Sequence, residues 1–233
     1  MYIFITVVLI SLAAAAYLVY RRERQNRILL QSVTSVDRGT SSERRLVVRL
    51  LRGGMPAVTI FHDLYVDKRW NRYSQIDLAI VTRVGIFVIE VKHYSGWIFG
   101  RGTDRQWTQV LNYGKEKYRF YNPVKQNEGH IAALSQQLSR YGYIPFYSVI
   151  VFCGDCQLRN VSFIPEGVFI TGPYRVMDVI NAVVAGSPPA HYTDKLGLIE
   201  TLRQYVRNGD DERIRIRHVE NIKDMLGTER IFD

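Results

Sequence analysis

The sequence predicts an α/β domain, a central mixed sheet flanked by helices, behind one N-terminal transmembrane helix. Three observations predict it: residues 2–20 carry no charge, two β-branched runs follow one another within residues 75–92, and segments with helical periodicity flank those runs. Of the 233 residues, 47% are hydrophobic and 23% are charged, so the chain can bury a core and is unlike a disordered tail. One globular domain with an appendage is expected.

The net charge and the number of cysteines indicate which partners and which cellular compartment the protein is suited to. Lys and Arg number 31 and Asp and Glu 22, a net charge of +9, which favours a polyanionic partner such as nucleic acid or an anionic lipid surface. Two cysteines in a chain of this length exclude a disulfide-rich secreted scaffold and favour a reducing compartment.

Residues 2–20 match the length of a membrane-spanning helix, for which about 20 residues are needed. Arg21, Arg22, Arg24 and Arg27 follow directly, and basic residues beside a span stay cytoplasmic. The sequence therefore predicts a single-pass anchor in the inner or plasma membrane, a basic juxtamembrane linker over 21–35, and a cytoplasmic soluble domain. The alternative is a cleaved signal peptide, since residues 13–16 are alanines, but no Lys or Arg precedes the apolar run.

The soluble domain is expected to begin near residue 36 with a helix. Thr40 or Ser41 can cap it, and Glu43 falls in its first turn, where the helix dipole favours a carboxylate. Glycines at 53 and 54 end it. Two short β-prone runs, 58–61 and 64–66, come next, and residues 67–73 form a polar, basic connection.

Residues 75–82 and 86–92 are β-branched runs separated by a turn that contains Gly85, the pattern of an antiparallel hairpin. Both runs are apolar on both faces, so the hairpin is expected at the centre of its sheet.

Three charges interrupt this apolar hairpin. A turn centred between Arg83 and Val84 places Asp77 directly opposite Glu90, where opposed Cβ atoms are only about 5 Å apart. Lys92 shares the face of Glu90 because side chains alternate along a strand. Two carboxylates and an ammonium therefore gather on one side of the hairpin.

This arrangement suits a divalent metal, because close carboxylates repel unless a cation lies between them, and Mg²⁺ prefers oxygen ligands. A lysine beside such a site can orient a water molecule and offset the charge of a phosphorane-like transition state. The alternative is a structural ion-pair cluster of Asp, Glu and Lys with no catalytic role.

Further segments accompany these charges in order along the chain. They are Gly39…Glu43, Gln75-Ile76-Asp77, residues 85–92, Gly96-Trp97-Ile98-Phe99-Gly100, Trp107-Thr108-Gln109 and residues 122–130. Together they resemble the NERD (nuclease-related) domain, a family related to PD-(D/E)XK nucleases, over residues 36–152. The resemblance implies a restriction-endonuclease-like core and a nuclease activity.

The resemblance also implies roles for individual residues. Asp77 and Glu90 would bind the metal, Mg²⁺ or Mn²⁺, and Glu43 would complete its ligand shell. Lys92 would position or activate water, and Gln126 would hold the site or the phosphate. Family members commonly have His after the Asp. Here Leu78 stands in that position, and by strand alternation it faces away from Asp77.

A basic stretch between residues 115 and 125 is interleaved with aromatic residues, a composition that suits phosphate contacts beside stacked bases. Lys115, Lys117, Arg119 and Lys125 are the predicted contacts to a nucleic-acid backbone, with DNA as the expected partner. His130 shares a helical face with Gln126 and is assigned to helix capping or packing.

Cys153-Gly154-Asp155-Cys156 is a CxxC sequence without a second Cys or His pair, so a turn at a strand end is favoured over zinc or redox chemistry. Residues 153–233 form a C-terminal extension. An edge strand is expected at 168–170, followed by helices over 174–184, 191–207 and 211–226.

The sequence thus predicts a membrane-anchored, Mg²⁺-dependent nuclease. The alternative is a catalytically inactive nucleic-acid-binding or membrane-tethered interaction module with the same fold.

Overall fold

The computed structural model of the chain describes residues 2–68 and 72–226, and their fold is α/β. The helices are α1 (Tyr2–Gln31), α2 (Ser41–Arg52), α3 (Pro123–Leu138), α4 (Val176–Gly186), α5 (Lys195–Asn208) and α6 (Glu212–Leu226). The strands are β1 (Ile60–Lys68), β2 (Arg72–Thr82), β3 (Gly85–His93), β4 (Gly96–Arg101), β5 (Gln106–Leu111), β6 (Glu116–Tyr121), β7 (Gly142–Tyr143), β8 (Phe146–Cys153), β9 (Cys156–Ser162), β10 (Val168–Thr171) and β11 (His191–Tyr192). Mixed sheets flanked by helices confirm the predicted fold class.

The main sheet has five strands in the order β1-β2-β3-β8-β10. The predicted hairpin is β2 and β3, and its pairing of Leu78 with Ile89 has the predicted register. The parallel strand β8 then flanks β3, and β10 forms the predicted edge. The hairpin is therefore central, as expected.

Helices cover both faces of this sheet, which explains why its strands lack a polar face. On one face, α2 packs Leu46 and Leu50 against Leu78 and Ile80. On the other, Leu134 of α3 and Leu202 of α5 pack against alternate residues of the same strands. The apolar residues of these strands consequently meet apolar side chains on either face.

A second sheet has four strands in the order β6-β5-β4-β9. Its inner face packs Ile98 and Trp107 against Phe152 of the main sheet, and the rings of Trp107 and Phe152 stack with centroids 6.0 Å apart. The strand β6 lies at the free edge of this second sheet.

The segment before the hairpin differs from the prediction. The two β-prone runs belong mostly to one strand, β1, which pairs with β2 from Ile60 to Lys68. The predicted polar connection over 67–73 was wrong at both ends, because Asp67 pairs with Tyr73 and Lys68 with Arg72. Strand pairing overrides polarity here because exposed strand ends tolerate polar side chains.

Helix α1 is continuous through the basic segment that follows the apolar run. It is long and apolar enough to cross a membrane from Phe4 onward, and its apolar side chains there are exposed. The segment 21–35, expected as a linker, is helical as far as Gln31. Leu30 is buried in the core of the domain, with Val33 and Val36 packed nearby, because α2 covers this end of α1.

The C-terminal extension contains the predicted edge strand and three helices, but it differs from the prediction at strand β9, which was not expected and pairs with β4, and at the helix starts. Residues 191–192 form strand β11, which pairs with β7, so the helix predicted from 191 begins at Lys195. The Asp194 side chain caps it by accepting from the Gly197 amide. The other two helices begin at Val176 and Glu212, within two residues of the expected positions.

Candidate active site

Asp77 and Glu90 lie on adjacent central strands, and their side chains are 8% and 2% exposed. The Asp77 carboxylate accepts a hydrogen bond from the Val91 amide at 2.7 Å, which fixes it against β3. The Gln75 amide, on the same face of β2, donates to the other Asp77 oxygen at 3.2 Å. Backbone and side-chain donors therefore hold Asp77 in one orientation.

Lys92 and His130 contact the two oxygens of Glu90. The Lys92 ammonium is 2.7 Å from Oε1 of Glu90 and donates to Oε1 of Gln126 at 2.9 Å. Nε2 of His130 is 3.2 Å from Oε2 of Glu90, and Nδ1 of His130 is 2.7 Å from the Ser74 hydroxyl. The distance to Glu90 is that of an ion pair but the geometry is not that of a hydrogen bond, so Glu90 Oε2 and His130 Nε2 lack hydrogen-bond partners among the described residues.

The assignment of His130 to packing was therefore incomplete, since its ring is buried beside Glu90. The signal in the sequence was its position four residues after Gln126, which puts both on one face of α3.

Glu43 comes from the first turn of α2, where Thr40 is the N-cap, as predicted. The Thr40 hydroxyl accepts from the Glu43 amide and donates to Oε1 of the Glu43 carboxylate at 2.6 Å. Oε2 of Glu43 is 3.1 Å from His62 Nε2. Gly39 has φ +62, and a Cβ there would lie 2.4 Å from Oε2 of Glu43. A glycine at position 39 is therefore required for this arrangement.

A network of polar residues that sequence reasoning missed supports the site. Asp63 accepts from Gln75, which also donates to Asp77, and from the Arg38 guanidinium at 3.0 Å. Arg38 also pairs with Asp210 of the C-terminal extension at 2.9 Å. The sequence did contain a signal for this network, because the polar residues His62 and Asp63 interrupt two apolar runs that form one strand.

All five predicted catalytic residues, Glu43, Asp77, Glu90, Lys92 and Gln126, line one cavity of 610 Å³. The α5–α6 turn and α6 close one side of it with Gly209, Asp210 and Arg215. Of the lining cations, Lys92 is paired with Glu90, and Arg38 with Asp63 and Asp210. Arg215 is exposed and makes no ion pair with another described residue.

The electrostatics of the three carboxylates differ. Burial raises the pKa of Asp77 well above its ordinary value, and the nearby charges of Glu90 and Glu43 raise it further. Burial also acts to raise the pKa of Glu90, but Lys92 and His130 outweigh it and lower that pKa. For Glu43, burial is outweighed by hydrogen bonds from His62 and Thr40, so the pKa is lowered. The pKa of Lys92 is raised because Glu90 outweighs burial.

These groups fit a divalent cation. Among the described residues, no three His, Cys, Asp or Glu side chains are already arranged around a common metal position. The donors nonetheless have the right chemistry. Glu90 Oε2 is buried without a hydrogen-bond partner, and the mutual repulsion that raises the pKa of Asp77 is what a shared cation would offset. Glu43 is engaged on both oxygens, which suits contact through water better than direct ligation.

The predicted nucleic-acid contacts lie outside this cavity. Lys115, Lys117 and Arg119 are exposed on or beside β6, and Lys125 is half-buried on α3, next to Gln126. Lys117 and Arg119 share one face of β6, because they are two residues apart. Their contact with nucleic acid stays a prediction.

The CxxC sequence is the turn between β8 and β9, as favoured. Cys153 ends one strand, Cys156 begins the next, and both thiols are free. Burial raises the pKa of both thiols, which disfavours the thiolates that redox chemistry requires.

Comparison with known proteins identifies the region that carries the site. Residues 38–153 match the family model of the nuclease-related domain. This segment is a nuclease-related domain. The resemblance found in the sequence is thereby confirmed, and with it the association with PD-(D/E)XK-like nucleases. The nuclease-related domain contains all five predicted catalytic residues but not Asp210 or Arg215.

An uncharacterized protein of Bacillus anthracis is similar to the chain, with 32% identity over 126 residues. The match covers 54% of this chain and 57% of the relative, so the chain spans little more than half the length of that protein. No solved structure matches the chain.

Proposed function

We propose that the chain is a membrane-anchored, divalent-metal-dependent nuclease that hydrolyses phosphodiester bonds of nucleic acid, with DNA as the expected substrate. One observation carries the proposal: buried Asp77 and Glu90 and half-buried Lys92, all within the nuclease-related domain, line a single cavity. Burying carboxylates is unfavourable unless they are paired, so a cluster of such groups that lines a cavity is typical of a reaction site.

Asp77 and Glu90 would hold Mg²⁺ or Mn²⁺, with Glu43 supporting it from α2. The metal would polarise the phosphoryl oxygen and lower the pKa of a water molecule. Lys92 would orient the attacking water and compensate for the negative charge that builds on the phosphorus oxygens. Gln126 accepts from Lys92 and would keep the ammonium in place after a substrate phosphate weakens its contact with Glu90.

Hydrolysis joins the water oxygen to phosphorus and breaks one bond from phosphorus to a sugar oxygen, which leaves as an alcohol. A substrate phosphate needs cationic contacts, because the cavity is rich in carboxylates. Arg215 is the guanidinium at the cavity that no described carboxylate neutralises, and we assign it to this phosphate.

The second candidate is a binding module that keeps the fold without turnover. The direct contact of Lys92 with both Glu90 and Gln126 favours it, since this is also the geometry of a structural ion-pair cluster. Such a module would bind nucleic acid equally well with and without a divalent metal.

Cleavage by the purified full chain in neutral detergent tests the proposal. Labelled single-stranded DNA, double-stranded DNA and RNA are incubated with Mg²⁺ or Mn²⁺, or with EDTA. The Glu90→Gln variant should lose at least about 100-fold in rate. The matched control is Glu128→Gln, which removes an exposed carboxylate of α3 outside the cavity and should cleave like the natural chain. Equal cleavage by Glu90→Gln would refute the assigned site, and metal-independent binding without cleavage would establish the binding module.

The anchor is supported by the exposed apolar run of α1 and by the arginines that follow it. Extraction of cell membranes at alkaline pH should leave the full chain in the membrane pellet. Release into the supernatant, or an N-terminus that begins after residue 16, would favour a signal peptide.

A further inference from the structure

Helices α1 and α2 leave a groove between them that is lined with arginines. This feature, here the α1–α2 groove, has a volume of 700 Å³ and is separate from the candidate active site. Glu23 is the single carboxylate in its lining, and the cations are Arg22, Arg27, Arg44, Arg45, Arg49 and Arg52. The α1–α2 groove is therefore strongly positive.

Half of these arginines have partners within the described chain. Arg44 donates to the Arg38 and Gly39 carbonyls, Arg45 donates to the Ser42 hydroxyl, and the Arg49 guanidinium lies 3.8 Å from the Tyr174 ring centroid. These contacts orient the arginines and leave their charge uncompensated.

Arg22, Arg27 and Arg52 are exposed, and none of them forms an ion pair with a described residue. The groove thus presents three guanidiniums whose donors are free for an anionic ligand.

The position of the groove indicates which anion that is. Its lining begins at Val19, the last turn of the uncharged run that ends at Tyr20. At a rise of about 1.5 Å per helical residue, Arg22 and Arg27 lie roughly 3 and 10 Å beyond Tyr20 along the helix. Headgroup layers extend about 5–8 Å beyond the hydrocarbon on each side of a bilayer. The groove therefore lies within the headgroup layer at Arg22 and reaches just beyond that layer at Arg27.

We infer that the α1–α2 groove binds the phosphates of anionic phospholipids in the membrane that holds α1. The inference rests on the membrane anchoring proposed above, but not on nuclease activity. Guanidinium groups match phosphate with two parallel hydrogen bonds, and basic residues next to a span attract anionic lipids. Nucleic acid is the competing polyanion, but the position of the groove next to the headgroup layer favours lipid over nucleic acid.

Lipid binding in the α1–α2 groove would affect the candidate active site, because α2 contributes residues to both. Its arginines face the groove, while Leu46 and Leu50 pack into the core and Glu43 enters the catalytic cavity. A headgroup bound between α1 and α2 would therefore hold the helix that carries Glu43.

Binding of phosphatidylglycerol to the full chain in neutral detergent tests the inference, with lipid adducts counted by native mass spectrometry. The groove variant is Arg27→Gln with Arg52→Gln. The control is Arg21→Gln with Arg24→Gln, which removes the same charge from exposed positions of α1 that do not line the groove. The groove variant should bind the lipid at least about tenfold more weakly, since one direct charge-assisted contact between guanidinium and phosphate contributes about tenfold. The control should bind like the natural chain.

Equal losses in the two variants would overturn the inference, because they would show diffuse charge attraction rather than a site. Displacement of the lipid by a single-stranded oligonucleotide, or by inorganic phosphate at the same concentration, would also overturn it. Alkaline extraction tests the anchor separately. If the natural chain stays in the membrane pellet but binds phosphatidylglycerol no better than the groove variant does, the anchor is supported and only the lipid site in the groove is contradicted.

Discussion

The charged side chains of the two sheets differ in burial and in pairing. In the five-stranded sheet, Glu90 is 2% exposed and is in contact with Lys92 and His130. In the four-stranded sheet, Lys117 and Arg119 lie on an edge strand in contact with solvent. A buried charge is stable only with its partners, whereas an exposed charge is stable alone and is screened by salt. The main sheet therefore holds its charges in fixed pairs at the candidate site, whereas the edge of the second sheet presents unburied positive charge to solvent.

Replacing a lysine in each sheet gives the largest contrast. Lys92→Met leaves Glu90 buried beside His130 alone, and it should lower the free energy of unfolding by about 3 kcal/mol and abolish cleavage. Lys117→Met should change that free energy by less than about 0.5 kcal/mol. Thermal unfolding of the full chain in neutral detergent measures both. Similar midpoints for the two variants would show that the Glu90–Lys92 pair does not contribute to folding.

Charge reversal on the second sheet should have an intermediate effect, confined to binding. Lys115→Glu with Lys117→Glu should weaken binding to labelled single-stranded DNA about tenfold. The slope of log affinity against log salt should fall by about 0.7 for each phosphate contact that is lost. Fluorescence anisotropy over a salt series measures both quantities. Unchanged affinity and slope would remove these lysines from the nucleic-acid surface.

Arg215 combines features of both sheets, since it is exposed to solvent but lines the candidate active-site cavity. Arg215→Gln should raise KM about fivefold with a smaller change in kcat, because the residue binds a phosphate away from the reacting bond. Its control is Arg217→Gln, an exposed position on the same helix that does not line the cavity. If both variants raise KM equally, Arg215 makes no specific contact with the phosphate, and α6 attracts the substrate only through its overall positive charge.

The central hairpin of the main sheet could be predicted from the sequence because its signals are local. The hairpin followed from two β-branched runs and Gly85, and its register followed from the length of the turn. The start of α2 followed from Thr40 and Glu43. By contrast, His191 and Tyr192 form a strand only because Gly142 and Tyr143 lie beside them, a contact between distant segments that no local pattern contains.

The same division applies to the site. The positions of Asp77, Glu90 and Lys92 follow from one hairpin, and the family resemblance added Glu43 and Gln126. Asp63 and Arg215 were not predicted, because each reaches the cavity from an element that only tertiary packing brings there. His130 lines no part of the cavity but lies beside Glu90, a contact that its assignment to packing did not include. Arg38 is the clearest case, since its bond to Asp210 joins positions 172 residues apart.

Leu30 ties the end of α1 into the core of the domain, so no flexible tether separates the apolar run from the sheets. If the chain is anchored as we propose, the cavity of the candidate active site is held at a fixed distance from the lipid surface and in a fixed orientation. If it is the proposed nuclease, the chain would meet substrates by lateral diffusion in the plane of the membrane, and it would cut only strands that come within reach of that layer. A version cut free upstream of Leu30 would search the whole cell volume instead.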